Sequence, residues 1–505
     1  MGIDALSVEV EVNVSAGLGM YLVGLPDSAV KESQERIRSA FENSDLRMVG
    51  KKIVVNLAPA DLKKEGSALD LPIAIAILAA TEQLDCDHLQ RWIIAGELSL
   101  DGSVKPIRGA LPMAIEALAR GFRGVILPKQ NAEEAAVVES LEVIGVESLR
   151  EAVEFLSDRR EIAPTEVAVQ TLFEESRTRY GEDFADVRGQ EYVKRALEVA
   201  AAGGHNIIMI GAPGSGKTML ARRMPTIMPP LSLEEALETT KIHSVAGKLG
   251  SEKGLLSRRP FRSPHHLASA VAMVGGGTNP QPGEISLAHN GILFLDELPE
   301  FGRSILEVLR QPMEDKMVTV ARAKYSVAYP ANFMLVASMN PCPCGYYNHP
   351  TKECNCSRHA VEKYLNKISG PLMDRIDIQI EVIPVEYEQM SRPTEAEPSA
   401  AIRERVIAAR EVQRKRFEGI EGVFTNAMMN SAMIAEFCPL DEPSRRLLAR
   451  AMERFSLSAR AYDRIVKVAR TIADLAGEEQ ISSAHIGEAL GYRNLDRDSW
   501  GCKES

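Results

Sequence analysis

No run of 18 apolar residues occurs anywhere in this 505-residue chain, so no segment reads as a membrane-spanning helix. The N-terminus has no basic segment followed by an apolar stretch; no secretory signal is expected, and the expected location is the cytoplasm. Positive charge is not in excess. Fifty-nine Lys and Arg stand against 70 Asp and Glu, a net of −11, which argues against a generally sticky nucleic-acid binder. Cysteine is scarce: the seven present are expected as reduced thiols or metal ligands rather than disulfides. No internal repeat divides the chain, which has room for about two to four domains.

The acidity is uneven. Residues 1–165 carry 17 Lys and Arg against 26 Asp and Glu, whereas residues 401–505 carry 17 against 16. The first 160 residues alternate strand and helix signals. Val8–Val14 alternates with period two, as a half-buried strand does, and Ser28–Asn43 has helical spacing. Further signals are a strand over 51–57, an apolar helix over 71–80, a hairpin from 93–100 and 104–107, a helix over 110–120, a strand over 124–128 and a helix over 132–138. Residues 161–187 lack apolar periodicity and read as a linker. Residues 188–384 run in β-α-β order, which implies a parallel sheet. A second linker, 385–400, leads to an all-helical segment, 401–497.

What is present in the middle is phosphate chemistry. Gly211-Ala212-Pro213-Gly214-Ser215-Gly216-Lys217-Thr218 follows the apolar run Asn206–Ile210 and precedes a helix. Glycines free backbone N–H groups to curl around phosphate oxygens, Lys217 supplies a charge for the outer phosphates, and Thr218 a hydroxyl for Mg²⁺. The chain is therefore expected to bind a nucleoside triphosphate, ATP, with Mg²⁺. Ile292–Leu295 is a buried-strand run ending in Asp296-Glu297. The first carboxylate can hold Mg²⁺ and the second polarise water, although such a pair also starts helices. A third apolar run, Phe333–Met339, ends at Asn340, which can orient water near a terminal phosphate or form a turn before Pro341.

Several longer stretches carry a family resemblance. They are Asp186-Val-Arg-Gly-Gln190, Ala200-Ala-Ala-Gly-Gly-His205, the phosphate loop, Phe261-Arg-Ser-Pro-His-His266, Gly275-Gly-Gly277, Ala288-His-Asn-Gly-Ile-Leu-Phe-Leu-Asp-Glu297 and Ser369-Gly-Pro-Leu-Met-Asp-Arg-Ile-Asp377. Together, and in this order over nearly the whole chain, they resemble the bacterial magnesium-chelatase-like AAA+ ATPases of the ComM (YifB) group. The resemblance implies an α/β fold. Its parts would be a P-loop AAA+ core with a parallel sheet, an N-terminal Lon-protease-like domain akin to a ribosomal-protein fold (residues 1–160), and a C-terminal all-helical lid. It implies that Asp296 and Glu297 are the Mg²⁺ and water-activating carboxylates and Asn340 the first sensor. Arg375 matches an arginine finger that reaches a neighbouring subunit's γ-phosphate, and Arg460 the sensor-2 arginine, in cis or in trans. A finger given in trans makes hydrolysis depend on a homo-oligomer, by implication a hexameric ring. In the N-terminal third, Ala68 stands where a protease Ser would be and Met113 near its Lys, so a scaffold without the Ser-Lys dyad is expected.

Cys342-Pro-Cys344 and Cys354-Asn-Cys356 form two close pairs, with His349 and His359 nearby. Four thiolates in two pairs suit a tetrahedral structural Zn²⁺, though the one-residue gaps are tighter than usual; reduced loop thiols are the alternative. Cys86, Cys438 and Cys502 have no partner spacing. Lys248, Lys253, Arg258, Arg259 and Arg262, followed by His265 and His266, make 248–266 the most basic stretch, with Gly275–Gly277 expected at the tip of an inserted loop. Such a loop can track phosphates in a ring's pore or be a solvated charged face. The resemblance implies a hexameric helicase on single-stranded or branched DNA that promotes branch migration. A chelatase-like ATPase that remodels a partner protein is the alternative, and an ATP-dependent protease a third.

Overall fold

Alternation near the N-terminus does produce a strand. Glu9–Ser15 presents exposed and half-buried residues in turn and pairs antiparallel with Lys52–Ala58, Val12 opposite Val55. In this computed structural model the described residues are 2–170, 173, 180–249, 254–277, 280–322, 325–347, 349, 351–385, 396–455 and 457–493. Lys253, Cys502 and most of the linker expected at 385–400 lie outside them. The chain divides into two compact units, Met1–Glu174 with Ala236–Leu256, and Glu175–Glu235 with Ser257–Ser505.

In the first unit a third strand, Gly19–Val23, runs parallel to Lys52–Ala58; its short exposed pattern gave no sequence signal. Asp27 caps the helix Ser28–Asn43 by accepting from Val30 N at 2.8 Å, and Val30, Ile37 and Phe41 fall on its buried face. The helix Asp70–Ala80 is apolar nearly all round and is buried nearly all round, from Leu71 to Leu78. The expected hairpin is smaller than read. Only Glu97–Leu98 and Val104–Lys105 pair antiparallel, while Trp92–Ile94 joins a parallel sheet with Gly124–Pro128 and Glu142–Val146. Three residues of Trp and Ile cannot declare from sequence which neighbour they will take. The described residues of 236–256, expected within the ATPase core, belong to this unit. Ser244 Oγ donates to Glu134, and Leu256 N to Thr240 Oγ1 at 3.0 Å.

The second unit is built on five parallel strands in the order Phe261–Arg262, Ile292–Leu295, Met334–Met339, Ile207–Gly211, Ile378–Val382. All residues of the second, third and fourth strands are buried, as continuous apolar runs in a covered parallel sheet should be. A hairpin, Met317–Arg322 with Tyr325–Pro330, precedes the third strand and was not expected. The end of the expected first linker is not loose: Phe184 is fully buried in the core of this unit. The C-terminal segment carries the helices Ser399–Arg416, Ser431–Phe437, Glu442–Arg454, Ala459–Ala476 and Ser483–Gly491, joined by loops, two of which meet in the single bridge Leu440 to Ile481.

Candidate active site

Parallel order delivers the chemistry to one edge of the sheet. Lys217, Asp296 and Asn340 follow the C-terminal ends of three adjacent strands, the place where open α/β sheets bind ligands. Between Ile207–Gly211 and the helix Lys217–Ile227 the loop turns through Gly216, whose φ of +92° is a left-handed conformation that glycine tolerates best. Gly211 admits no side chain: a Cβ there would stand 2.3 Å from Val382 O.

Lys217 is buried, its Nζ donating to Gly211 O at 2.7 Å, Ala212 O at 2.9 Å and Asn340 Oδ1 at 3.4 Å. Burial pulls its ammonium below the ordinary value, against the attraction of Asp296 and Glu297. Thr218 Oγ1 donates to Asp296 Oδ2 at 2.7 Å; the Ser338 hydroxyl and Glu297 N, at 3.1 Å, donate to Asp296 Oδ1. Ser338 was not singled out from sequence, where it looks like one small residue in an apolar strand. Glu297 itself sits at φ +54°, and its Oε2 is 3.6 Å from His266 Nδ1.

These residues fit a magnesium nucleotide. A hydroxyl and a carboxylate stand side by side as oxygen ligands for Mg²⁺, and a helix N-terminus begins at the loop. The Ser215 hydroxyl is buried without a hydrogen-bond partner among the described residues.

Arg375 is placed elsewhere. It precedes Ile378–Val382, which runs parallel to Ile207–Gly211 with Ile378 opposite Ile207 and Val382 opposite Gly211. The cradle opens beyond Gly211, so about 13 Å of paired strand, at roughly 3.3 Å per residue, separates the two levels. Arg375 Nη1 donates to Pro371 O at 2.6 Å and Nη2 lies 2.6 Å from Glu314 Oε1, while Nε is buried without a partner. Its ion pair is thus with Glu314, on neither neighbouring aspartate. Arg460, in the first turn of Ala459–Ala476, is exposed and lies 3.7 Å from Asp374, beside Arg375.

The four cysteines come together. Cys342, Cys344, Cys354 and Cys356 have all their sulfurs within 4.8 Å of one another, with Cys342–Cys344 at 3.3 Å and Cys342–Cys354 at 3.7 Å. His349 and His359 are not in the group. Arg259 holds Glu235 and the carbonyls of Pro229 and Asn290, and Arg262 pairs with Glu284 through two bonds of 2.7 and 2.8 Å. Two cations of the basic stretch are thus ion-paired within the chain. Gly275–Gly276 is one arm of a small antiparallel ladder with Gln281–Pro282, and Gly277 follows that arm in a turn.

A family profile described as magnesium chelatase, subunit ChlI, matches residues 183–390. One described as subunit ChlI of Mg-chelatase matches residues 10–131, and one for the C-terminal part of that subunit residues 396–493. The chain is similar to the competence protein ComM of Haemophilus influenzae, with 44% identity over 503 residues, 98% of this chain and 96% of that protein. It is as similar to the protein YifB of Escherichia coli, with 44% identity over 504 residues and the same coverage of 98% and 96%. A shorter likeness, 28% over 148 residues, relates 29% of this chain to 22% of an archaeal Lon protease of Methanocaldococcus jannaschii. No helix among the described residues is long and apolar enough to cross a membrane.

Proposed function

This chain belongs to the ComM and YifB group of magnesium-chelatase-like AAA+ ATPases, an α/β P-loop core with a Lon-protease-like N-terminal domain and a helical lid, and from that premise we propose a ring motor that acts on DNA. In this reading it is a hexameric helicase that uses ATP to promote branch migration during recombination or natural transformation. One observation carries the ring: Arg375 stands at the opposite end of the sheet from Lys217 of the same chain. A finger so placed serves a neighbour's nucleotide, and each pocket is completed only at a subunit boundary. Arg460, beside Asp374, stands with the finger and acts in trans with it. Bound Mg²⁺ neutralises charge on the phosphates. Thr218 and Asp296 hold it, Lys217 binds the outer phosphates, Glu297 takes the proton of the attacking water, and Asn340 orients that water.

The DNA substrate rests on the full-length likeness to a protein named for competence. Fork-unwinding and three-strand branch-migration assays, with ATP and with a non-hydrolysable analogue, test it. Unwinding that needs hydrolysis supports the motor; an ATPase indifferent to single-stranded and forked DNA removes it. The tying of Arg259 and Arg262 to Glu235 and Glu284 favours a second reading, in which hydrolysis remodels a partner protein.

The cysteine cluster holds a structural Zn²⁺ in this reading, four thiolates around one ion, stiffening the segment that joins Asn340 to Arg375.

A further inference from the structure

The segment Arg375–Asp377 is tied at every residue. Asn206 Nδ2 donates to Arg375 O at 3.1 Å and Arg493 Nη1 to Ile376 O at 3.0 Å. Asp377 takes two donors, Asn206 N on Oδ2 at 3.0 Å and Arg464 Nη1 on Oδ1 at 2.8 Å. Asn206 also accepts Leu335 N at 2.8 Å, so one residue joins the roots of three strands: the one leading to the cradle, the one ending before Asn340, and the one that follows Arg375.

Asp377 is 1% exposed. Burial alone would push its carboxyl up, yet Arg464, His205 and Lys467 together hold it well below the usual range. The pair with Arg464 is therefore charged. His205 adds a second tie: its Nδ1 lies 3.6 Å from Asp377 Oδ2 and its Nε2 2.8 Å from Thr471 Oγ1. Arg464 and Thr471 lie on one helix, Ala459–Ala476, about two turns apart at roughly 3.6 residues per turn. Two attachments fix the helix's rotation as well as its height against the finger segment. A buried ion pair is a poor way to stabilise a fold, because desolvation offsets much of its attraction; what it supplies is one geometry. Arg460, one turn earlier on the same helix, stays exposed beside Asp374.

We propose that Arg464 is a positioning residue for the Arg375 finger: through Asp377, the helix Ala459–Ala476 sets where Arg375 stands, so a movement of the lid in one protomer is felt in its neighbour's ATP pocket. The proposal rests on the shared-pocket reading and goes one step past it.

Mixed rings test it. Arg464→Ala and the milder Arg464→Lys are expected to form rings and bind a fluorescent ATP analogue as the unsubstituted protein does. Their kcat falls roughly 10–100-fold with little change in KM, the scale of a small displacement of a catalytic group. Mixed with Lys217→Ala subunits, which lend an intact finger to an intact cradle, they regain turnover. Mixed with Arg375→Ala subunits, they do not. The opposite pattern, rescue by Arg375→Ala and not by Lys217→Ala, assigns Arg464 to its own cradle and overturns the proposal. Unchanged turnover overturns it too, and so does loss of the folded state in both variants, which would make the pair a structural tie only. The mixture of Arg375→Ala with Lys217→Ala is the control. If that mixture stays inactive, the shared pocket itself fails and takes this inference with it.

Discussion

Thr218 and Asp296 face each other across 2.7 Å, hydroxyl to carboxylate, at the mouth of the phosphate loop. With Ser338 and Glu297 N also donating to the carboxylate, Asp296 has its orientation set by three groups from three segments. A site fixed in this way needs little reorganisation when charge arrives.

Lys217→Ala removes the one buried cation of the loop. Hydrogen bonds to charged groups are worth about 1.5–3 kcal/mol each, so the loss of contact to the outer phosphates should take nucleotide binding beyond reach of an ordinary titration. Fluorescent-analogue binding checks this, and near-normal affinity would exclude Lys217 from the cradle.

Glu297→Gln keeps the shape of the side chain and loses the basic oxygen. ATP binding should persist while turnover drops roughly 10²–10⁴-fold, the usual contribution of a positioned base. Single-turnover hydrolysis with bound ATP reads the chemical step directly; a normal rate there assigns the water to another group.

The phosphate loop and the Asp296-Glu297 pair were readable because their spacing is local: both lie where a short apolar strand ends. The same holds for the helices Ser28–Asn43 and Asp70–Ala80, which carry periodic or continuous apolar signals. What sequence could not offer were partners far along the chain. Ser338 on Asp296, Glu314 on Arg375 and Arg464 on Asp377 are separated by 42, 61 and 87 residues and meet only through the sheet order. The ion pairs of the basic stretch were hidden for the same reason, since Glu235 and Glu284, which tie Arg259 and Arg262, lie outside it. Trp92–Ile94 was too short to reveal that it pairs with Gly124–Pro128 rather than with its own hairpin.

Arg375→Ala should leave ring formation intact and slow hydrolysis by roughly 10³-fold or more, as removal of an arginine finger does. Light scattering with ATP, alongside the steady-state rate, separates assembly from chemistry. A variant that hydrolyses at full speed would falsify the finger.

Removing metal should loosen the segment between Asn340 and Arg375. Protein purified without an affinity-column metal is expected to carry close to one zinc per chain, and a chelator to lower both its melting temperature and its ATPase rate. Elemental analysis decides: zinc far below one per chain leaves four reduced thiols and no site.

The N-terminal domain offers a stability test free of the nucleotide site. Asp70 is fully buried and accepts Arg36 Nε at 2.6 Å, Arg36 Nη2 at 2.9 Å and Leu98 N at 3.2 Å. Nearby, the Ser67 hydroxyl donates to Glu97 and the Lys64 ammonium to Pro59 O. Asp70→Ala takes the carboxylate from a half-buried Arg36, which keeps Ala29 O and Glu32 as partners, and should cost about 1.5–3 kcal/mol of unfolding free energy. Replacing both partners, Arg36→Met with Asp70→Leu, should recover most of that, because neither charge is then stranded. Urea titration of the three proteins compares them. Equal stability of Asp70→Ala and the unsubstituted chain would mean that Arg36 swings out to water and that the pair holds nothing. Casein digestion by any of the three should stay at background, since each keeps Ala68 and Met113 where the resemblance places a protease's Ser and Lys.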